Sequence, residues 1–187
     1  MLWLDGGDSL NAHISFAPAD VGGASAEAQS AQLSPEEQRR RAQFSQRISA
    51  AFGDVVSILM RTRAFKHHTL ADLEWMVVPA LTTGQFSLAQ AQSKAHGAMA
   101  AVGVVLWASV SDEVDQRLSQ SSQGPTRLRP DEWRSGTHIW VVDGIGDRRV
   151  IAAQLKKLRD NEWKGQTVKI KVRGQDGAPT VRVLQAN

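Results

Sequence analysis

The run Ala98 to Val110, AMAAVGVVLWASV, constrains the fold more than any other stretch of the chain. It is uncharged, rich in β-branched residues and bounded by Gly97 and Ser111, the pattern of a strand in a buried sheet position. Gln85 to Ala91 alternates weakly and reads as a second strand, antiparallel to the first across the loop 92–97. Thr137 to Val142 reads as a third. Thr167–Arg173 and Pro179–Leu184 form two more, joined by the hairpin signature Gly174-Gln175-Asp176-Gly177.

Helix signals alternate with these strands. Ser34-Pro35-Glu36-Glu37 supplies a cap, a proline at the first helical position and a glutamate at the third, opening a helix through about Arg61. Its buried stripe is Phe44, Ile48, Phe52, Val55 or Val56, and Leu59. Thr69 and Asp72 cap a second helix that Leu70, Leu73, Trp75, Val77 and Val78 bury and Pro79 stops. Ser111-Asp112-Glu113 caps a third, with Val114 and Leu118 on one face. Arg129 to Trp133 reads as a short turn or helix. Gly144 and Gly146 read as a tight turn into a last helix, Asp147 to about Arg159, with Val150, Ile151, Leu155 and Leu158 facing inward. The resulting expectation is an α/β fold of the α+β layered kind, a mixed, mostly antiparallel sheet flanked by helices. Residues 34–187 make one domain behind an extension, 1–33, whose Ala, Ser, Gly and Asp content predicts disorder.

Composition removes several function classes. There is no cysteine, which excludes disulfides, thiolate catalysis and cysteine zinc sites. The five histidines, at 13, 67, 68, 96 and 138, lack metal-ligand spacing, so no metal is expected. Nucleotide-binding loops and the serine-hydrolase elbow are missing. With neither a signal peptide nor a membrane span legible, a cytoplasmic protein is expected. Charge is uneven: residues 1–38 hold six acidic residues and no Lys or Arg, leaving 22 basic against 13 acidic, a surplus of nine, on the rest. Such a body suits an acidic partner. Basic residues are not interleaved with aromatics, and tryptophans 75, 107, 133 and 140 lie in apolar runs, so nucleic acid is not the expected one.

Two features point to chemistry. His67 and His68 precede the positive end of the helix begun at Thr69, which favours a neutral imidazole and suits a base. Asp143 ends the apolar strand Ile139-Trp140-Val141-Val142 just before a helix start, a usual place for reactive carboxylates in α/β folds.

These residues also form a recognisable order. A long helix is followed by the His-containing segment, then Val78-Pro79-Ala80-Leu81, Gln85, Leu106-Trp107-Ala108-Ser109, Trp133-x-Ser135-Gly136 and Trp140-x-x-Asp143. Over roughly Ala51 to Arg159 the chain resembles the RTX toxin-activating, or hemolysin-activating, lysine acyltransferases. The resemblance implies a single domain similar to the GCN5-related N-acetyltransferases. It further implies transfer of a fatty acyl group from acyl-acyl carrier protein, with no tightly bound cofactor, to internal lysines of an RTX protoxin or similar secreted protein. The reaction is cytoplasmic, and a homodimer is implied. The family's catalytic pair is a histidine upstream of the apolar helix, for which His67 and His68 are the candidates, and an aspartate matching Asp143. Arg148, Arg149, Lys156 and Lys157 are candidates for docking the acidic carrier. An ungapped count puts Phe65 at the family's histidine position. The alternative is therefore a non-catalytic relative that binds the carrier or the protoxin.

Overall fold

A computed structural model of the chain describes residues 34–92, 97–120, 126–173 and 179–184. The expected disorder of residues 1–33 and the turn at 174–177 lie outside these. The chain divides into two units, 1–42 and 43–187. In the first, the Ser34 N–H donates to Glu37 (2.8 Å) and the Glu37 N–H to the Ser34 hydroxyl (3.2 Å), the reciprocal cap that starts helix α1 (Pro35–Arg61).

Residues 43–187 are built on a five-stranded sheet in the order β1 (Phe86–Gln92), β2 (Met99–Val110), β3 (His138–Gly146), β4 (Val168–Arg173), β5 (Pro179–Leu184). All neighbours are antiparallel except β3 and β4, which are parallel and connected through a helix, as a parallel pair requires. The fold is thus the expected α+β arrangement. On one face pack α1 from residue 43 on, α2 (Leu70–Met76), α3 (Val78–Thr83) and α4 (Asp112–Gln120), around Val55, Leu81, Val104, Leu106 and Trp140. The other face holds a smaller cluster in which Leu158 of α5 (Arg148–Asp160) and Trp163 cover Val105, Trp107 and Val141. β2 therefore has buried side chains on both faces, which is why its sequence is a continuous apolar run.

Several expectations are corrected. Pro79 does not stop the helix that precedes it. Val77 ends α2 and Pro79 lies in the first turn of α3, where its missing N–H has no cost. Leu70, Val78 and Phe44, read as buried, are exposed, while Ala51 and Ile58 join the core. Asp143 does not end its strand, and Gly144 and Gly146 form no turn: β3 runs on to Gly146. Glycine is needed at both positions by crowding. A Cβ on Gly144 would lie 2.8 Å from Ile151 of α5, and one on Gly146 2.5 Å from the Val102 carbonyl.

The Trp133-x-Ser135-Gly136 segment is a brace. The Ser109 N–H donates to the Trp133 carbonyl (3.0 Å) and the Gly136 N–H to the Ser109 carbonyl (3.1 Å), while the Ser135 hydroxyl accepts from the Ser111 N–H (3.0 Å). It ties the end of β2 to the start of β3. Trp140 is fully buried and donates its indole N–H to Asp115 of α4 (2.7 Å).

Candidate functional site

Strand side chains alternate between faces, so Trp140 and Val142 point to the α1–α4 face and Ile139 and Val141 to the α5 face. Continued alternation would send Asp143 to the α5 face. A bulge prevents this. Trp107 pairs with Val141 and Leu106 with Asp143, so two β3 residues oppose one on β2. Asp143 shares the face of its partner Leu106, and Ile145 joins the same α1–α4 cluster. The carboxylate is thereby turned toward the segment that carries the histidines.

That segment starts with a 3-10 helix, Arg63–Phe65, after which the His68 N–H donates to the Phe65 carbonyl (3.0 Å). The rings of Phe65 and His68 meet at 4.7 Å, tilted by 49°. At Thr69 the chain enters α2, and Asp72 accepts from both the backbone N–H (2.7 Å) and the hydroxyl (2.9 Å) of Thr69, the expected capping box. The Trp75 indole adds a longer bond to Asp72 (3.3 Å).

The electrostatics separate the two histidines. Burial pushes the Asp143 carboxyl above the ordinary aspartate range, opposed by the Gly144 N–H at 2.7 Å and by the charge of His68. Asp72 lies on the other side of its usual value, held down first by the Thr69 N–H and hydroxyl, then by Trp75, with His68 contributing. His68 thus acts on two carboxylates. Both histidines are exposed and, among the described residues, neither side chain makes a hydrogen bond or ion pair; the His68 ring meets only that of Phe65.

His68 and Phe65 also line a cleft of about 590 Å³ between α1 and α2. Its walls are apolar: Val56, Leu59 and Met60 on one side, Leu70 and Leu73 on the other. The candidate docking residues lie elsewhere. Arg148 and Arg149 begin α5, behind the Asp147 cap, and Lys156 and Lys157 follow two turns later, all four exposed.

Sequence reading missed a second basic group. Arg127 stacks over the Trp75 ring (4.9 Å), and Arg117 and Arg129 both pair with Glu132 (2.6 and 3.0 Å), which is 3% exposed. The signal was the alternation Arg127-Leu128-Arg129, which buries the leucine and turns both guanidiniums outward.

Among the described residues, no helix is long and apolar enough to cross a membrane. No curated protein matches the chain. The sequence model of the RTX toxin acyltransferase family matches residues 44–187, a span that reaches past the Ala51–Arg159 resemblance at both ends and includes the C-terminal hairpin. With well over half of its length in that match, the chain belongs to the RTX toxin acyltransferase family.

Proposed function

We propose that the chain moves an acyl group from acyl-acyl carrier protein to the ε-amino group of lysines in an RTX protoxin, with His68 as general base and Asp143 as its supporting carboxylate. The observation that carries this reading is the bulge that turns Asp143 to the α1–α4 face, and the charge of His68, unlike that of His67, acts on its carboxyl without a hydrogen bond between the two side chains. Phe65 at the counted histidine position fits it too. The His68 N–H bonds to the Phe65 carbonyl and the two rings are in contact, so a base at 68 lies beside the counted position.

A lysine ammonium has a pKa of about 10.4 and is no nucleophile until it loses a proton. The ammonium gives that first proton to solvent, and His68 takes a second from the nitrogen as the amine attacks the thioester carbonyl. The C–N bond forms, the tetrahedral intermediate collapses with loss of the C–S bond, and the imidazolium returns the proton to the departing thiolate. Ionised Asp143 stabilises the imidazolium in between. The thioester arrives on its carrier, so no tightly bound cofactor is required. Arg148, Arg149, Lys156 and Lys157 supply a surface for the acidic carrier. The reading places the reaction in the cytoplasm before toxin export, in a homodimer of subunits similar to the GCN5-related acetyltransferases.

The test is intact-mass detection of acylated protoxin after incubation with acyl-acyl carrier protein. His68→Ala and Asp143→Asn each lower the transfer rate by about 10²–10⁴, the usual contribution of an acid–base group, while His67→Ala leaves most of it. Full transfer by both the His68 and Asp143 variants overturns the assignment. Carrier binding without transfer by the wild-type chain favours the second reading, in which Phe65 marks a lost active site.

A further inference from the structure

We infer that the cleft beside His68 holds the aliphatic tail of the transferred acyl group, and that Met60 and Leu70 on its rim set which chain lengths are transferred. The inference rests on the acyl-transfer reading and specifies where its substrate lies.

Met60 is 75% exposed and Leu70 83% exposed, two large apolar side chains left in water on opposite sides of one cleft. Leu70 sits inside an apolar helix pattern that would ordinarily be buried. On α1, Val56 and Met60 are four residues apart and share a face, as do Val55 and Leu59, which are buried in the core. The helix therefore presents two neighbouring apolar rows. The Val56–Met60 row lines the cleft, while in the other row Val55 stays in the core and Leu59 is shared between the core and the cleft wall.

The volume of about 590 Å³ lies within the range of small-molecule sites. Its polar groups, Lys66, His68 and Thr69, come from one short loop, so the cleft has a reactive end and an apolar remainder. An acyl thioester has the same division, a polar carbonyl joined to an apolar tail. A peptide occupant would have to bury backbone N–H and C=O groups against Val56, Leu59 and Leu73, which offer no side-chain partners.

The experiment has two arms on the full chain. In the first, kcat/KM is measured for carrier protein loaded with saturated chains of increasing length. Each methylene that enters the cleft raises the value by up to about fourfold, until the space is filled. Met60→Asp and Leu70→Asp, both at exposed positions, flatten that slope. The second arm measures binding of a fluorescent long-chain fatty acid, which needs no turnover, and both variants weaken it. A wild-type slope that survives in both variants, or fatty-acid binding that does, overturns the cleft assignment and leaves acyl transfer standing. If the wild-type chain transfers nothing yet binds the fatty acid, and the variants do not, acyl transfer fails and the cleft assignment stands.

Discussion

Asp143, Asp72 and Glu132 show how differently one chain treats its carboxylates. Glu132 is buried but takes both Arg117 nitrogens (2.8 and 2.6 Å), Arg129 and the Arg129 N–H, and these hold its pKa down despite burial. Asp72 is half-buried and is likewise held down, by Thr69. At Asp143, desolvation outweighs the Gly144 N–H and the His68 charge, and the pKa rises. A carboxyl whose folded-state pKa exceeds its unfolded value of about 3.9 contributes stability below that unfolded value and loses it as pH rises through the folded one. At neutral pH this carboxyl is therefore a burden on the fold. Asp143→Asn removes the charge at constant shape, so its melting temperature exceeds wild type near pH 7, and the advantage vanishes below about pH 4. Thermal melts at the two pH values check this. An equal difference at both, or a less stable variant near pH 7, contradicts it.

At the scale of elements, the site depends on irregularities in regular strands. The β3 bulge turns Asp143, and a second shift in β1–β2, between Ala89 and Gln90, leaves Val102 unpaired while Arg61 reaches the neighbouring Ala101 carbonyl (2.6 Å). Gly146 lies against this spot with φ 133°, a conformation that side chains avoid. Gly146→Ala combines backbone strain with a Cβ 2.5 Å from the Val102 carbonyl. It destabilises the fold by about 3 kcal/mol in denaturant titration, and a loss under about 1 kcal/mol would show that β3 shifts freely there. The elements themselves were legible. The cap residues at Ser34, Thr69 and Ser111 and the β-branched run of β2 act locally, and each marked the start of its element to within a residue or two. The bulge was not legible, because it follows from how Trp107 meets β3, a contact no local window contains. Asp-Gly-Ile-Gly reads as a turn until the packing of Ile151 over Gly144 is known. Of the candidate site, sequence named both histidines and Asp143, but that the charge of His68 and not of His67 acts on Asp143 depends on how the segment before α2 folds.

For the molecule as a whole, the surplus of nine basic charges on residues 39–187 was visible by counting, whereas its distribution needed the fold. Arg148 and Arg149 sit at the positive end of α5, where cations are unfavourable by a few tenths of a kcal/mol each, so local stability does not explain them. Arg148→Glu with Arg149→Glu lowers kcat/KM for acyl-acyl carrier protein by about tenfold at low salt, and the gap to wild type closes as salt is raised. A gap that is absent, or unchanged by salt, removes these arginines from the docking surface. The β3 bulge also governs how this chain can change in length. Between the positions paired with Ala108 and Leu106, β3 has two residues where β2 has one, so the facing of Asp143 is settled by parity. A substitution at Val141 or Val142 leaves that parity alone. Insertion or loss of a single codon there reverses it, carrying an unaltered aspartate to the α5 side of the sheet, so an intact Trp-x-x-Asp is informative only together with its spacing.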